Sequence, residues 1–173
     1  LARRYQGRPI VWVMGGDNAT PHHDIWKALA DGIRAGTVGA PPLVSYHPVG
    51  AKSSVGVFPE ADFEMVQTSH CVKEGYPLLA RNTWNSSKKP VLDAEPLYED
   101  HLWCWDAQQG FASADQVRAQ EYWAVFSGAF GASYGHASVW QFYQPGKTAP
   151  EAMARVPWAE ALEAQAAGQM GYL

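Results

Sequence analysis

Short apolar runs alternate along the chain with stretches whose apolar residues recur at helical spacing. Ile10-Val11-Trp12-Val13-Met14 predicts a buried strand of parallel-sheet type, ending in Gly15-Gly16-Asp17-Asn18. Asp24 then predicts a helix cap, with Ile25, Trp26, Leu29 and Ile33 at helical spacing and an end near Gly36. Leu43–His47 predicts a second strand, broken by Pro48-Val49-Gly50, and Phe63–His70 a third. A weak helix over Val72–Ala80, interrupted by Gly75 and Pro77, leads to a fourth strand, Val91–Ala94, bounded by Pro90 and Pro96. Ser113-Ala114-Asp115-Gln116 fits a capping box and opens a helix with Val117, Tyr122, Val125 and Phe126 on its apolar face. Ser133–Phe142 reads as the last strand and its exit, and Pro157–Ala167 as a closing helix that buries Trp158 and Leu162. Leu1–Tyr5 looks like the tail of a helix ended by Gly7, so the sequence reads as a piece of something longer.

Strands separated by helices predict an α/β fold with a parallel sheet and crossover connections. The five strand candidates lead to Asp17, His47, His70, Glu95 and His136. In such sheets the carboxyl ends of the strands form one face, where active sites collect. The five polar exits are therefore expected to converge on one pocket. Singly they are ambiguous. Asp17 also suits a capped glycine turn, and Glu95-Pro96-Leu97-Tyr98-Glu99-Asp100 also suits an acidic helix start.

Composition narrows the function classes. With 173 residues the chain is long enough for one domain with a real core. Charged residues make only 17% and the net charge is -4 without a basic run, which argues against nucleic acid as a partner. No apolar stretch approaches a membrane span of roughly 18 residues. Cys71 and Cys104 show no metal-binding spacing and no disulfide framework, and sequence leaves their pairing open. Aromatic residues reach 13%, and the loop from Asp100 to Gly110 carries His101, Trp103 and Trp105, unusual for a mere connector. The adjacent His22-His23 read as solvated. The sequons at Asn18 and Asn85 matter only in a secretory eukaryotic host.

Two fixed carboxylates, Asp17 and Glu95, beside one pocket suit glycosidic-bond cleavage, one as proton donor and the other as nucleophile or base. The surrounding rings and imidazoles suit a sugar, whose C–H faces stack on aromatics while its hydroxyls find partners. Two other readings stay open. One is a metal-dependent hydrolase using His47, His70, His136 and Asp17, though it lacks a closely spaced His pair. The other is a carbohydrate-binding barrel without turnover.

Five segments, Trp12–Asp17, Leu43–Pro48, Met65–His70, Lys89–Glu99 and Tyr134–Gln141, follow in the order seen in the apiosidase-like glycoside hydrolases. The closing Gly168-Gln169-Met170-Gly171-Tyr172 is similar to that family's barrel end. The resemblance implies a (β/α)8 barrel of which residues 1–173 cover strands four to eight, as a partial catalytic domain with the first three strands outside it. It implies Asp17 as general acid/base and Glu95 as nucleophile, with carboxyl groups roughly 5–6 Å apart as a retaining pair requires. His47, His70, Tyr98, Glu99, His136 and Trp140 would line the sugar site. The substrate would be a polysaccharide or oligosaccharide side chain, with no cofactor and no metal, in a secreted or periplasmic protein of unstated oligomeric state. Ala94 departs from the family, which more often has Gly there.

Overall fold

A computed structural model describes residues 1–17, 22–71 and 78–173. Six strands are present among them: β1 (Val11–Gly15), β2 (Leu43–His47), β3 (Lys52–Ser53), β4 (Glu64–Gln67), β5 (Val91–Asp93) and β6 (Gly131–Ala132). β1 pairs parallel with β2, from Val11 opposite Leu43 to Gly15 opposite His47. β4 pairs parallel with β5, β5 with β6, and the short β3 lies antiparallel on β4. The two sheets meet at β2 and β4. Asp62 donates its N–H to the Val44 carbonyl over 2.8 Å, and the Ser45 hydroxyl donates to the Phe63 carbonyl over 2.6 Å. The result is one row, β1-β2-β4-β5-β6, with a helix in each connection except that from β2 to β4, which carries β3. The α/β arrangement expected from the alternating pattern is present.

Three hydrophobic groups bind the helices to the strands. Met14, Val44 and Tyr46 pack on Ala30 and Ile33 of α1 (His23–Gly36), with Phe58 stacked on Tyr46. Val66 and Val91 pack on Ala80 of α2 (Leu79–Ser87) and Ala124 of α3 (Ala114–Phe126). Leu97 packs on Val117 of α3 and on Ala166 of a later helix. Residues 12, 14, 44, 46, 66 and 91 therefore face the helices, and their alternate neighbours face the other side, as the two-residue period of a strand requires.

The helices depart from the sequence pattern in five places. α1 begins at His23 after an N-cap at His22 that makes no side-chain cap, so Asp24 is a first-turn acid and not the cap. The helix expected over Val72–Ala80 is observed at Leu79–Ser87, and 72–77 lie outside the described residues. Phe126 of α3 is 81% exposed, and the helix instead buries Val117, Gln120, Glu121 and Ala124. Ala137–Trp140, expected in the last strand, is a short helix, α4, because the His136 ring accepts from the Ser138 N–H and starts a turn. The closing helix is split into α5 (Trp158–Ala161) and α6 (Gln165–Gln169), which leaves Leu162 54% exposed.

Candidate functional site

The carboxyl ends of the parallel strands bring four of the predicted residues together. Gly15 ends β1 beneath the Tyr46 ring, where a Cβ would lie 2.5 Å from a ring carbon. The chain therefore turns there without a side chain and presents Asp17 at the mouth. His47 ends β2, with its Nδ1 3.0 Å from the Pro48 carbonyl. That carbonyl only accepts, so Nδ1 carries a proton. His47 Nε2 lies 3.3 Å from one Glu95 oxygen, and His70 Nε2 lies 3.2 Å from the other. Asp17, His47 and Glu95 each place one donor atom within 4.8 Å of the others. One oxygen of Asp17 and one of Glu95 therefore lie within 4.8 Å of each other.

The electrostatics follow from this geometry. Burial opposes ionisation of Glu95, but hydrogen bonds and charge from His47 and His70 outweigh it and hold the carboxyl down at about 2. Glu95 in turn raises the pKa of His47 above the usual imidazole range. An acceptor on each side requires His47 to carry both protons, which agrees with that direction. The centre is therefore an imidazolium against the Glu95 carboxylate. Burial, with Glu95 and Asp17 close by, raises the Tyr98 phenol, so this group is a donor at neutral pH, hydrogen-bonded to Glu95.

Tyr98 reaches the centre because Gly135 leaves room for its ring, a place where any Cβ would overlap that ring. Tyr98, His136 and Trp140 line one cavity of about 410 Å³. Glu99 and His136 pair across the strand exits, and both are buried. The Glu99 carboxylate accepts from the Tyr134 hydroxyl (2.7 Å) and from the Ala166 N–H at the start of α6 (3.0 Å). The four ligands of the metal-hydrolase reading are not assembled. His136 Nδ1 is committed to Ser138, and the described residues that offer a cation one nitrogen and two oxygens are Asp17, His47 and Glu95.

The family model for the apiosidase-like catalytic domain matches residues 1–173. The chain belongs to that family. Two solved structures are similar to this apiosidase-like chain. A glycoside hydrolase family 5 protein from Bacteroides vulgatus superposes with a TM-score of 0.85 at 33% identity, over 99% of this chain and 41% of its own. A second glycoside hydrolase gives the same TM-score and identity, with 43% of its length covered. The apiosidase-like chain spans about two fifths of the length of these structures. No curated protein matches it significantly.

Two features of this apiosidase-like site escape a reading of the sequence. Cys71 and Cys104 form a disulfide that ties the β4 exit to the aromatic loop. That loop lays His101 flat on His70, ring centres 4.0 Å apart, with the Trp105 ring edge-on to both. The His101 Nδ1 donates to the Leu102 carbonyl over 2.6 Å, and burial together with His70 lowers its pKa to about 4. His101 is therefore a neutral wall behind His70. The only available signal was the density of rings after Asp100.

Proposed function

We propose that the chain is the strand-four-to-eight part of a (β/α)8 retaining glycoside hydrolase, with β1, β2, β4, β5 and β6 as those strands. One observation carries the reading: Asp17 and Glu95 face each other across the strand exits with carboxyl atoms within 4.8 Å. An inverting pair would need about 6.5–9.5 Å to admit water between the groups. Glu95, ionised at any ordinary pH, attacks the anomeric carbon while Asp17 protonates the departing oxygen. Asp17 then takes a proton from the water that releases the sugar. His47, His70 and Tyr98 hold the Glu95 carboxylate in one orientation, and their three hydrogen bonds leave a lone pair on one oxygen for attack. The substrate class is a saccharide side chain whose ring lies by Tyr98 and Trp140 over the 410 Å³ cavity. His136 forms part of that wall. Glu99, whose oxygen is already taken, supports the wall through Tyr134 and α6.

The test separates the carboxylates by role in the full-length protein. Glu95→Ala should abolish turnover of every substrate. Asp17→Ala should spare the first step on an activated aryl glycoside and lose about 10²–10⁴-fold on a substrate whose leaving group needs a proton. Azide should restore the Asp17→Ala turnover with a product of retained configuration. Equal losses in both variants on both substrates, without azide rescue, would falsify the assignment. Sugar binding without hydrolysis by the unsubstituted protein would favour a binding protein instead.

A further inference from the structure

Behind the carboxylate centre, on the helix-facing side of the sheet, lies a closed cluster of buried polar side chains. Thr68, Asp93 and Gln120 are all buried. Asp93 Oδ2 accepts from the Thr68 hydroxyl over 2.7 Å, and Oδ1 accepts more weakly from the Thr68 N–H at 3.4 Å. The Glu95 N–H also donates to this carboxylate. Gln120 reaches in from α3. Its Nε2 donates to Thr68 Oγ1 (2.8 Å) and toward the Ser69 carbonyl (3.4 Å), while its Oε1 accepts from the Leu97 N–H (3.0 Å). Ser69 N–H donates to the Glu95 carbonyl over 2.9 Å.

The directions close without conflict. The single Thr68 hydroxyl proton goes to Asp93, its lone pair takes the Gln120 amide proton, and the Gln120 oxygen takes the Leu97 proton. The cluster therefore ties the β4 exit, which carries His70, to the β5 exit, which carries Glu95. Ser69, between Thr68 and His70, has φ +68°, a left-handed conformation that a serine holds only where its surroundings enforce it. Glu121 of α3 and Glu95 are the titratable groups near Asp93, both acidic.

We infer that Thr68, Asp93 and Gln120 form a positioning brace that sets Glu95 against His70 and so fixes the attacking carboxylate. This inference rests on the reading of Glu95 as nucleophile. None of the three touches the cavity that would hold sugar. They act through the two strand exits. A brace of this kind affects the rate of the chemical step more than substrate binding, because a nucleophile misplaced by about 1 Å costs on the order of 10²-fold.

The experiment is a ¹³C NMR titration of the Glu95 carboxyl in the unsubstituted protein, Thr68→Val, Thr68→Ser and Gln120→Met, and it needs no substrate. Far-UV circular dichroism and melting confirm the fold of each. Thr68→Val keeps the side-chain shape but neither donates nor accepts, so the His70–Glu95 bond should loosen and the Glu95 midpoint rise by about one pH unit. Thr68→Ser should restore it, and Gln120→Met should move it the same way as Thr68→Val. Turnover of 4-nitrophenyl pentosides and hexosides should follow, with kcat reduced about tenfold and KM unchanged. A Glu95 midpoint unmoved in folded Thr68→Val and Gln120→Met, or Thr68→Ser behaving as Thr68→Val does, overturns the brace. Failure of the nucleophile reading shows separately, as aryl glycoside turnover that survives Glu95→Ala.

Discussion

Glu121 sits in the middle of α3, almost wholly buried, with no hydrogen-bond partner for Oε1. Burial, with Asp93 nearby, pushes its carboxyl up to about 8, and burial likewise pushes Asp93 up to about 6. A raised folded pKa fixes the sign of the linkage. Glu121 contributes its full stability below its unfolded value near 4.5, and that contribution is lost as pH rises through about 8. Glu121→Gln should flatten the fall in melting temperature between pH 5 and about pH 9, and an unchanged slope would count against a neutral Glu121. Glu95 has the opposite sign, with a contribution present above its unfolded value and lost as pH falls through about 2. Residues at the strand exits were legible in the sequence because a polar group ending an apolar run is visible in one dimension. Asp93, inside Val91–Ala94, carried no such signal, because the partners that hold it lie elsewhere in the chain. Gln120 carried no signal, since a glutamine on a helix is ordinarily solvated.

Elements were legible where local chemistry decides them. The capping box at Ser113 is present as read, with the Ser113 hydroxyl accepting from Gln116 N–H and the Gln116 side chain accepting from Ser113 N–H. Ser113→Ala should therefore cost about 1 kcal/mol in denaturant melts, and Ser113→Asp should recover most of it. Where tertiary packing decides, the pattern misled. The β-branched and aromatic residues of Ala137–Trp140 suit a strand, yet the turn set by His136 makes a helix. On α3 the apolar face buries polar Gln120 and Glu121 and leaves Phe126 outside, because the strand exits opposite carry Thr68 and Asp93. The disulfide stayed open in the sequence, since its cysteines are 33 residues apart and meet only in the fold. Closing a loop of that length should stabilise the protein by about 3–4 kcal/mol through the unfolded chain. A Cys71→Ser, Cys104→Ser double variant should melt lower by that amount. It should also free the loop carrying His101 and Trp105, seen as faster amide exchange over 101–110.

The strands of the described residues form an open row. Among the described residues, β1 pairs with β2 alone, and β6 with β5 alone. Both ends of the row therefore present backbone donors and acceptors without a ladder partner. The apolar residues beside them are also uncovered. Val11 and Val13, on the face of β1 away from α1, are 48% and 44% exposed, and Phe126 and Phe130 stand out near β6. In the solved glycoside hydrolases similar to this chain, the part matched by residues 1–173 is about two fifths of the length. Unpaired edges next to apolar side chains are a template for strand addition, and removal of such surface from water gives about 25 cal/mol per Å². A polypeptide of these 173 residues alone should consequently self-associate in a concentration-dependent way. Lysine at Val11 and Val13 should reduce that association, because a charge on an exposed strand face opposes burial against a second copy. Sedimentation velocity from low to high micromolar concentration is the measurement. A monomer at every concentration, with a single cooperative melt, would show that the open row is stable on its own.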